Sequence, residues 1–127
     1  MKLLRVGPWG KEKVCALDNQ NKIRDLSSHV NDLNPGTLTL SNLTSWAKID
    51  LEKLPEINNN LRIGSCINKP RNILCIGLNY SLHAKQTGSK LPKYPIVFNK
   101  SPDCLQGPYD PIKKRKTQEK LDYEVEL

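Results

Sequence analysis

The chain has few aromatic residues and no long apolar segment. Aromatic side chains make up 6% of the 127 residues and hydrophobic residues 37%, so little material is available for a core. No stretch approaches the ~20 consecutive apolar residues of a transmembrane helix, and the first residues lack the apolar region of a secretory signal peptide. These absences favour a cytoplasmic protein that does not associate with membranes.

Cysteine pairs are absent as well. The four cysteines are widely spaced and form no C-x-x-C pair, which argues against a zinc ribbon and against a thiol redox centre. An unreactive cysteine behaves as a small apolar side chain. We therefore expect buried, reduced thiols at Cys15, Cys66, Cys75 and Cys104.

Basic residues outnumber acidic ones and give the chain a formal net charge of +7. The densest cluster is Lys113-Lys114-Arg115-Lys116, and clusters of this kind can neutralise nucleic-acid phosphates. However, no aromatic residues alternate with it, and no helix-turn-helix or zinc-finger pattern accompanies it. We interpret the cluster as a solvated loop or exposed edge and expect no nucleic-acid partner.

The first half of the chain predicts β-structure. Strand-like segments at residues 3–6, 13–17 and 23–26 are separated by turn-forming residues and so predict a β-meander. Ser41 is the predicted N-cap of a short helix that places Trp46 in the core. The polar segment 54–60 contains a proline and consecutive asparagines, which predicts a linker and a domain boundary near residue 60.

The second half begins with a continuous apolar run at residues 72–78, which has the length of a buried strand. This run leads into residues 79–88, a predicted helical turn closed by Gly88. A second strand is predicted at residues 95–100 and a turn at 106–111. The low helix content indicates an α+β, mostly β fold, with a small N-terminal β domain in residues 1–60 and a second domain in residues 61–127.

The last seven residues form a strand-like run that places Glu124 and Glu126 two positions apart. Alternate strand residues project from one face, roughly 6.5 to 7 Å apart along the backbone, so both carboxylates can approach one cation. A hard divalent ion takes about six oxygen ligands, and this pair supplies only part of that shell. The other interpretation is that the two glutamates are the polar face of an amphipathic edge strand.

Four motifs in register resemble the fumarylacetoacetate hydrolase superfamily. They are Ile76-Gly77-Leu78-Asn79-Tyr80-x-x-His83, Pro95-Ile96-Val97-Phe98-x-Lys100, Gly107-Pro108-x-Asp110-Pro111-Ile112 and the run from Glu119 to Leu127. The opening residues 1–8 and 23–27 are similar to the small N-terminal domain of bacterial members. The resemblance covers essentially the whole chain, and it implies that residues 61–127 form the opening, incomplete part of a mixed β-roll.

The resemblance also implies a chemistry. Members of this superfamily cleave carbon-carbon bonds of acylpyruvate-like β-diketo acids, or decarboxylate, isomerise or lyse related oxo acids, at a Mg²⁺ or Mn²⁺ site, with Ca²⁺ as a further candidate. Glu124 and Glu126 would be two metal ligands, and a third carboxylate would come from further chain. His83 would deprotonate the attacking water, and Lys100 would offer a cation to a substrate oxyanion or carboxylate. The intact form would be a homodimer.

Three features depart from the family pattern. Gln86 stands where relatives of this type often carry a glutamate that orients and polarises the histidine; an amide can hold the ring but lacks the negative charge, so we expect weakened water activation. The basic residues 113–116 replace an apolar stretch. Leu78 occupies a place where some relatives have a basic residue, which leaves the subfamily and the substrate open.

The catalytic domain of the family continues beyond its E-x-E strand, and this leaves three hypotheses. The chain is the N-terminal portion of such an enzyme and has little activity alone, or it becomes active by association with a second chain or another copy. The third hypothesis is a non-catalytic binding or structural remnant. From position alone His83 is more readily a structural histidine, since a strand-to-helix connection is suggestive but not specific.

Overall fold

The computed structural model describes residues 1–123, and its first sheet has four antiparallel strands. In chain order these are β1 Lys2–Val6, β2 Lys13–Leu17, β3 Ile23–Asp25 and β4 Glu56–Ile57, and they are adjacent in the same order. The predicted meander of the first three strands is confirmed. In the turn between β2 and β3, Asp18 accepts hydrogen bonds from the backbone N–H groups of Gln20 and Lys22 at 2.8 and 2.9 Å, which explains its tight geometry.

The prediction of a linker at residues 54–60 is wrong for β4. Ile57 pairs with Ile23 of β3, and the N–H of Asp25 donates to the carbonyl of Pro55 at 2.9 Å. Ile57 also packs against the buried cluster of Val6, Cys15 and Ile23. Pairing and burial together turn two residues of a polar segment into a strand. The domain boundary near residue 60 stays a prediction.

The first helix, α1, spans Leu40–Trp46 and begins earlier than predicted. Its N-cap is Thr39, whose hydroxyl oxygen accepts from the N–H of Asn42 at 3.2 Å, so Ser41 lies inside the first turn. Trp46 is buried, as predicted. Leu43 is 38% exposed and Ala47 is exposed, so the apolar stripe is narrower than the sequence indicated.

Two apolar clusters pack against the first sheet. Val14 joins one with Leu26, Leu33 and Trp46, whereas its neighbour Cys15 joins the other. Since successive strand residues point to opposite faces, the clusters lie on the two sides of β2. Among the residues that the structure describes, the buried apolar side chains all belong to positions 6–46, with the exception of Ala84.

The second sheet has two strands, β5 Ile73–Gly77 and β6 Ile96–Lys100, paired antiparallel with Cys75 opposite Phe98. Between them lies the helix α2, Ser81–Gln86. Its end is the glycine-closed turn that the sequence predicted: Gly88 has φ +67°, and the N–H of Ser89 donates to the carbonyl of Ala84 at 2.8 Å. Within residues 1–123 the fold is α+β and mostly β; its β-roll architecture remains a prediction.

The two faces of this second sheet differ in composition. Cross-strand partners share a face, so Cys75, Phe98 and Lys100 lie on one side, here called the inner face. The opposite side, the outer face, carries Leu74, Ile76 and Val97, which are 68%, 38% and 60% exposed. The inner face borders the cleft described below, which Ile76 of the outer face also lines.

The remaining segments are irregular, apart from short 3₁₀ turns at Leu51–Lys53 and Pro102–Cys104. Residues 113–116 form an exposed loop without strand pairing, as predicted. Residues 121–123 are irregular rather than strand, so the strand prediction is wrong there, and Glu124 and Glu126 lie outside the described residues. No helix within residues 1–123 has the length and apolarity needed to cross a bilayer.

The cysteine prediction is confirmed in part. All four thiols are free of disulfides, and Cys15 is buried. Cys75 is half-buried in β5, whereas Cys66 and Cys104 are exposed. The prediction of buried thiols is wrong for Cys66, in an irregular segment, and for Cys104, at the end of a 3₁₀ turn; neither belongs to an apolar cluster.

Candidate functional site

A cleft of about 380 Å³ lies at the inner face of the second sheet. Its walls come from the end of β5, from α2 and from β6. The lining residues are Cys75, Ile76, Gly77, Leu78, His83, Phe98 and Lys100. Two of the side chains that the sequence singled out, His83 and Lys100, therefore border the same space.

The chain reversal after β5 positions His83. β5 ends at Gly77, and Leu78 follows with φ +50°, a left-handed conformation that costs a branched residue roughly 1–2 kcal/mol. The backbone then returns to extended geometry at Tyr80 and enters α2. A strained residue in the connection between β5 and α2 indicates that the surrounding structure holds this connection firmly.

The backbone of His83 is held within α2. Its carbonyl oxygen accepts hydrogen bonds from the N–H and the hydroxyl of Thr87, both at 3.0 Å. Ala84, the next residue, is 1% exposed and anchors the helix on its buried side. His83 is half-buried at the cleft wall, so it is open to a small molecule in the cleft.

The strand β6 supplies the other wall. Phe98 and Lys100 are two residues apart and so project from the same face, with Phe98 directly opposite Cys75. Phe98 is 43% exposed and Lys100 is exposed. The cleft thus presents an imidazole, an ammonium group, a thiol and an aromatic ring side by side.

Gln86 does not line this cleft. It lies at the last position of α2, three residues after His83, and is exposed. The roles assigned to His83, Gln86 and Lys100 stay predictions. Of these three residues, His83 and Lys100 line the cleft and Gln86 does not.

Reasoning from the sequence missed a second cluster, the ion-pair network around Arg62. Its Nε and Nη2 donate to the two carboxylate oxygens of Asp110, each at 2.7 Å. Its Nη1 donates to Oε1 of Glu12 at 2.7 Å, and the guanidinium lies 4.9 Å from the centre of the Trp9 ring. Glu12 also accepts from Arg5 Nη2 at 3.3 Å.

This network lowers the pKa of its carboxyl groups. Hydrogen bonds from Arg62 hold the pKa of Asp110 below its usual value, against the opposing effect of burial. Burial acts to raise the pKa of Glu12, but the hydrogen bond from Arg62 and the charges of both arginines outweigh it, so that pKa is also lowered. Both groups are therefore carboxylates at neutral pH.

In the sequence, the glycine at position 107 indicated the turn that carries Asp110. The N–H of Gly107 donates to Oδ2 of Asp110 at 2.8 Å, and a Cβ at this position would clash with the backbone carbonyl of Ile63. The Gly107-Pro108-x-Asp110 motif was therefore noticed, but its partner Arg62 was not, because the two lie 48 positions apart.

Comparison with known proteins points to a family. Residues 72–127 match the family model described as "Fumarylacetoacetate (FAA) hydrolase C-terminal". The chain is also 45% identical over 127 residues to a protein named "Putative hydrolase" from Burkholderia ambifaria, and 44% identical to proteins with the same description from Burkholderia lata and Burkholderia orbicola. Both comparisons support the resemblance of this chain to the fumarylacetoacetate hydrolase superfamily.

The fumarylacetoacetate hydrolase match includes every residue of the cleft. It starts at residue 72, immediately before β5, and so contains His83 and Lys100. Each of the three relatives aligns with all of this chain, which spans only 45% of their length. The chain is thus about half as long as the fumarylacetoacetate hydrolase relatives that it matches.

The resemblance to the superfamily implies a divalent metal, and the side chains that could donate oxygen ligands to it can be named from their chemistry. Glu124 and Glu126 carry the oxygen ligands that Mg²⁺ and Mn²⁺ prefer, although two carboxylates leave much of the coordination shell to other groups. Within residues 1–123, no three side chains of histidine, cysteine, aspartate or glutamate are grouped to hold a metal. The assignment of Glu124 and Glu126 as metal ligands therefore stays a prediction.

Proposed function

We propose that this chain provides the general base His83 and the ammonium group of Lys100 to a metal-dependent hydrolase site. This site cleaves a carbon-carbon bond of acylpyruvate-like β-diketo or related oxo acids. The observation that carries the proposal is the shared cleft, in which His83 of α2 and Lys100 of β6 border the same space. The family resemblance supports the hydrolase class, and the substrate class is the one that this resemblance implies.

His83 acts as the general base. Imidazole is the side chain best suited to exchange a proton near neutral pH, and this one is half-buried at the wall of an open cleft. It takes a proton from water, whose oxygen adds to the ketone carbon of the substrate. The carbon-carbon bond then breaks, and its electron pair leaves with the enolate of the oxo acid, which accepts a proton from the imidazolium. The products are a carboxylate and a 2-oxo acid.

Lys100 binds the negative end of the substrate. Its ammonium group is a compact point charge that can contact a carboxylate or a developing oxyanion. Phe98, two residues earlier on the same strand face, offers apolar area for an acyl chain. The substrate would lie along β6, with its charged end at Lys100 and its acyl end at the ring.

Glu124 and Glu126 would hold Mg²⁺ or Mn²⁺, and the ion would supply Lewis-acid stabilisation of the oxygens of the substrate. The amide of Gln86 lacks the negative charge that would favour protonated His83, so water activation by this chain is expected to be weak.

The test is hydrolysis of an acylpyruvate by the purified chain with Mg²⁺ or Mn²⁺. The reaction is monitored as the decrease in the ultraviolet absorbance of the β-diketone. We expect slow, metal-dependent turnover that His83→Ala lowers by about 10²–10⁴-fold. Lys100→Gln should weaken turnover as well, whereas Lys85→Gln, an exposed lysine on α2 outside the cleft, is the matched control.

Unchanged hydrolysis by the His83→Ala protein would contradict the assignment of the base. If neither the chain alone nor the chain combined with a complementary polypeptide has any activity, the non-catalytic hypothesis is correct.

A further inference from the structure

The lining of the cleft beside His83 carries little charge. Among the residues that the structure describes, Lys100 is the only lysine or arginine that borders this space, and no aspartate or glutamate of residues 1–123 borders it. Apart from the imidazole and a thiol, the remaining side chains are the apolar groups of Ile76, Leu78 and Phe98. The cleft can therefore pair with one carboxylate of a ligand, and it offers apolar surface to the rest of the molecule.

Leu78 has the most constrained backbone among these apolar residues. It follows β5 directly, has φ +50° and is half-buried. Glycine adopts this left-handed conformation without steric cost, and asparagine adopts it more readily than a leucine does. A branched apolar side chain thus stands at a position that the backbone alone would give to a different residue type.

Leu78 also lies between this cleft and a second one. The second cleft, of about 430 Å³, shares Ile76, Gly77 and Leu78 with the first. Its own lining includes Lys93, whose Nζ lies 5.5 Å from the centre of the Tyr94 ring. Lys93 does not border the first cleft, so a ligand bound at His83 would meet this ammonium group only by extending past the shared residues.

An apolar wall distinguishes between substrates that differ only at the end of the acyl chain. A terminal methyl group gains free energy from contact with Leu78 and Phe98, because both surfaces leave water. A terminal carboxylate at the same place loses water without gaining a counter-charge. Since an unpaired charge in an apolar site costs more than a missing methylene group, the penalty falls mainly on the dicarboxylate.

We propose that Leu78 is a specificity-determining residue that restricts this site to oxo acids with one carboxylate and an uncharged acyl chain. The carboxylate of the pyruvyl end pairs with Lys100, and the acyl chain lies against Phe98 and Leu78. The inference rests on the proposed function, because it narrows the substrate class of the same site. It concerns the binding of the substrate, however, and not the cleavage of its carbon-carbon bond.

Protection of a thiol measures this preference without turnover. Cys75 lines the cleft, so a bound ligand should slow its reaction with a disulfide reagent. The full 127-residue chain carries Cys66→Ser and Cys104→Ser, which removes the two exposed thiols and leaves the buried Cys15 as an indicator of folding. The ligands, added with Mg²⁺, are hexanoylpyruvate and adipoylpyruvate, which has a carboxylate in place of the terminal methyl group. Initial rates are read before hydrolysis consumes either ligand.

We expect the rate at Cys75 to be halved by a concentration of hexanoylpyruvate about tenfold below that of adipoylpyruvate. Leu78→Lys should reverse this order, because its ammonium group would pair with the second carboxylate. Leu78→Asn suits the left-handed backbone and should abolish the preference without reversing it, so it decides the matter if Leu78→Lys exposes Cys15 by unfolding. Leu82→Lys is the matched control: it adds the same charge to a 64% exposed residue of α2 outside the cleft lining and should keep the original order.

Equal protection by the two ligands, or protection by neither, overturns the proposal. So does a reversal of order in Leu82→Lys, which would assign the effect to the general field of the added charge. Stronger protection by adipoylpyruvate that is lost in Lys93→Gln would mean that the second carboxylate reaches the neighbouring cleft, and the proposal would be wrong. The proposed function fails separately: it is contradicted if hexanoylpyruvate protects Cys75 with the expected preference and yet is not hydrolysed.

Discussion

Arg62 and Asp110 are joined by two parallel hydrogen bonds of 2.7 Å, a two-point geometry that is typical of an arginine and a carboxylate. Through Nη1 the same guanidinium reaches Glu12 at 2.7 Å, and the backbone carbonyl of Arg62 accepts from the N–H of Gly7 at 2.9 Å. One side chain therefore ties the first sheet to the turn at residues 107–110. This contact is the firmest link between the N-terminal strands and the segment that follows β6.

Glu12 is the residue on which this network depends most. Its side chain is 5% exposed and lies between Arg5 and Arg62. We expect Glu12→Gln to destabilise the fold by about 3 kcal/mol, because it leaves two guanidinium groups facing each other without their shared counter-ion. The measurement is urea unfolding followed by circular dichroism. Glu52→Gln, at an exposed carboxylate, is the control, and an equal loss in both variants would contradict the argument.

The pH dependence of stability should follow the same carboxylates. The folded-state pKa values of Glu12 and Asp110 lie below the ordinary values of 4.5 and 3.8, so both groups stabilise the fold above those values. That stability is lost as the pH falls through the lower folded-state values. We expect an urea midpoint that is flat from pH 7 to about 5 and then declines, with a smaller decline in Asp110→Asn. Asp103→Asn, at an exposed aspartate, should keep the full decline.

The elements that were predicted correctly depend on residues that are close in sequence. The meander follows from short alternating segments and the turn at Asp18, and α2 ends where Gly88 supplies a positive φ. The strand β4 was not predicted, because Glu56 and Ile57 become a strand only by pairing with β3, more than thirty residues earlier. The N-cap at Thr39 rather than Ser41 depends on a local contact, since the side chain of Asn42 donates to the carbonyl of Thr37 at 2.9 Å.

The candidate site shows the same division. The motif around His83 and the Phe98-x-Lys100 pair can be read locally, and the antiparallel register then brings both to one cleft. The network of Arg62 has no local pattern, because Glu12 and Asp110 are 50 and 48 positions away from the arginine. Only a three-dimensional arrangement reveals such partners. The departure from the family pattern at Gln86 stays a prediction, and nothing in its spacing indicated that it lies outside the cleft lining.

The four thiols should differ in reactivity. Burial, with the nearby charge of Asp25, raises the pKa of Cys15 to about 11, so this thiol should resist a disulfide reagent at pH 8 until the protein unfolds. Cys66 and Cys104 are exposed and should react at once, with Cys75 slower than both. The measurement is stopped-flow titration of native and urea-unfolded protein. Rapid reaction of a third thiol in the Cys75→Ser variant would show that Cys15 is not buried.

Gly107 should tolerate no side chain. A Cβ there would meet the backbone oxygen of Ile63, which cannot move as a flexible side chain would, and the turn that presents Asp110 to Arg62 would shift. We expect Gly107→Ala to cost about 1–3 kcal/mol of unfolding free energy. Gly77→Ala is the matched control, because its Cβ would have ordinary contacts of 3.5 Å with Ile96. Equal thermal midpoints for the two variants would mean that residues 62–64 yield to the added methyl group.

The last prediction concerns the charge that Gln86 lacks. In the assembled enzyme we expect Gln86→Glu to raise the rate of acylpyruvate hydrolysis by about two- to tenfold, because a carboxylate one helical turn from His83 favours its protonated form as the water proton is taken up. The gain is small since position 86 is exposed and its charge is screened. The pH profile of kcat/KM separates this effect from a structural one: its lower limb should move to higher pH with little change in KM. The neighbouring exposed variant Lys85→Glu should leave the limb in place, and an identical profile for both variants would show that residue 86 does not act on the histidine.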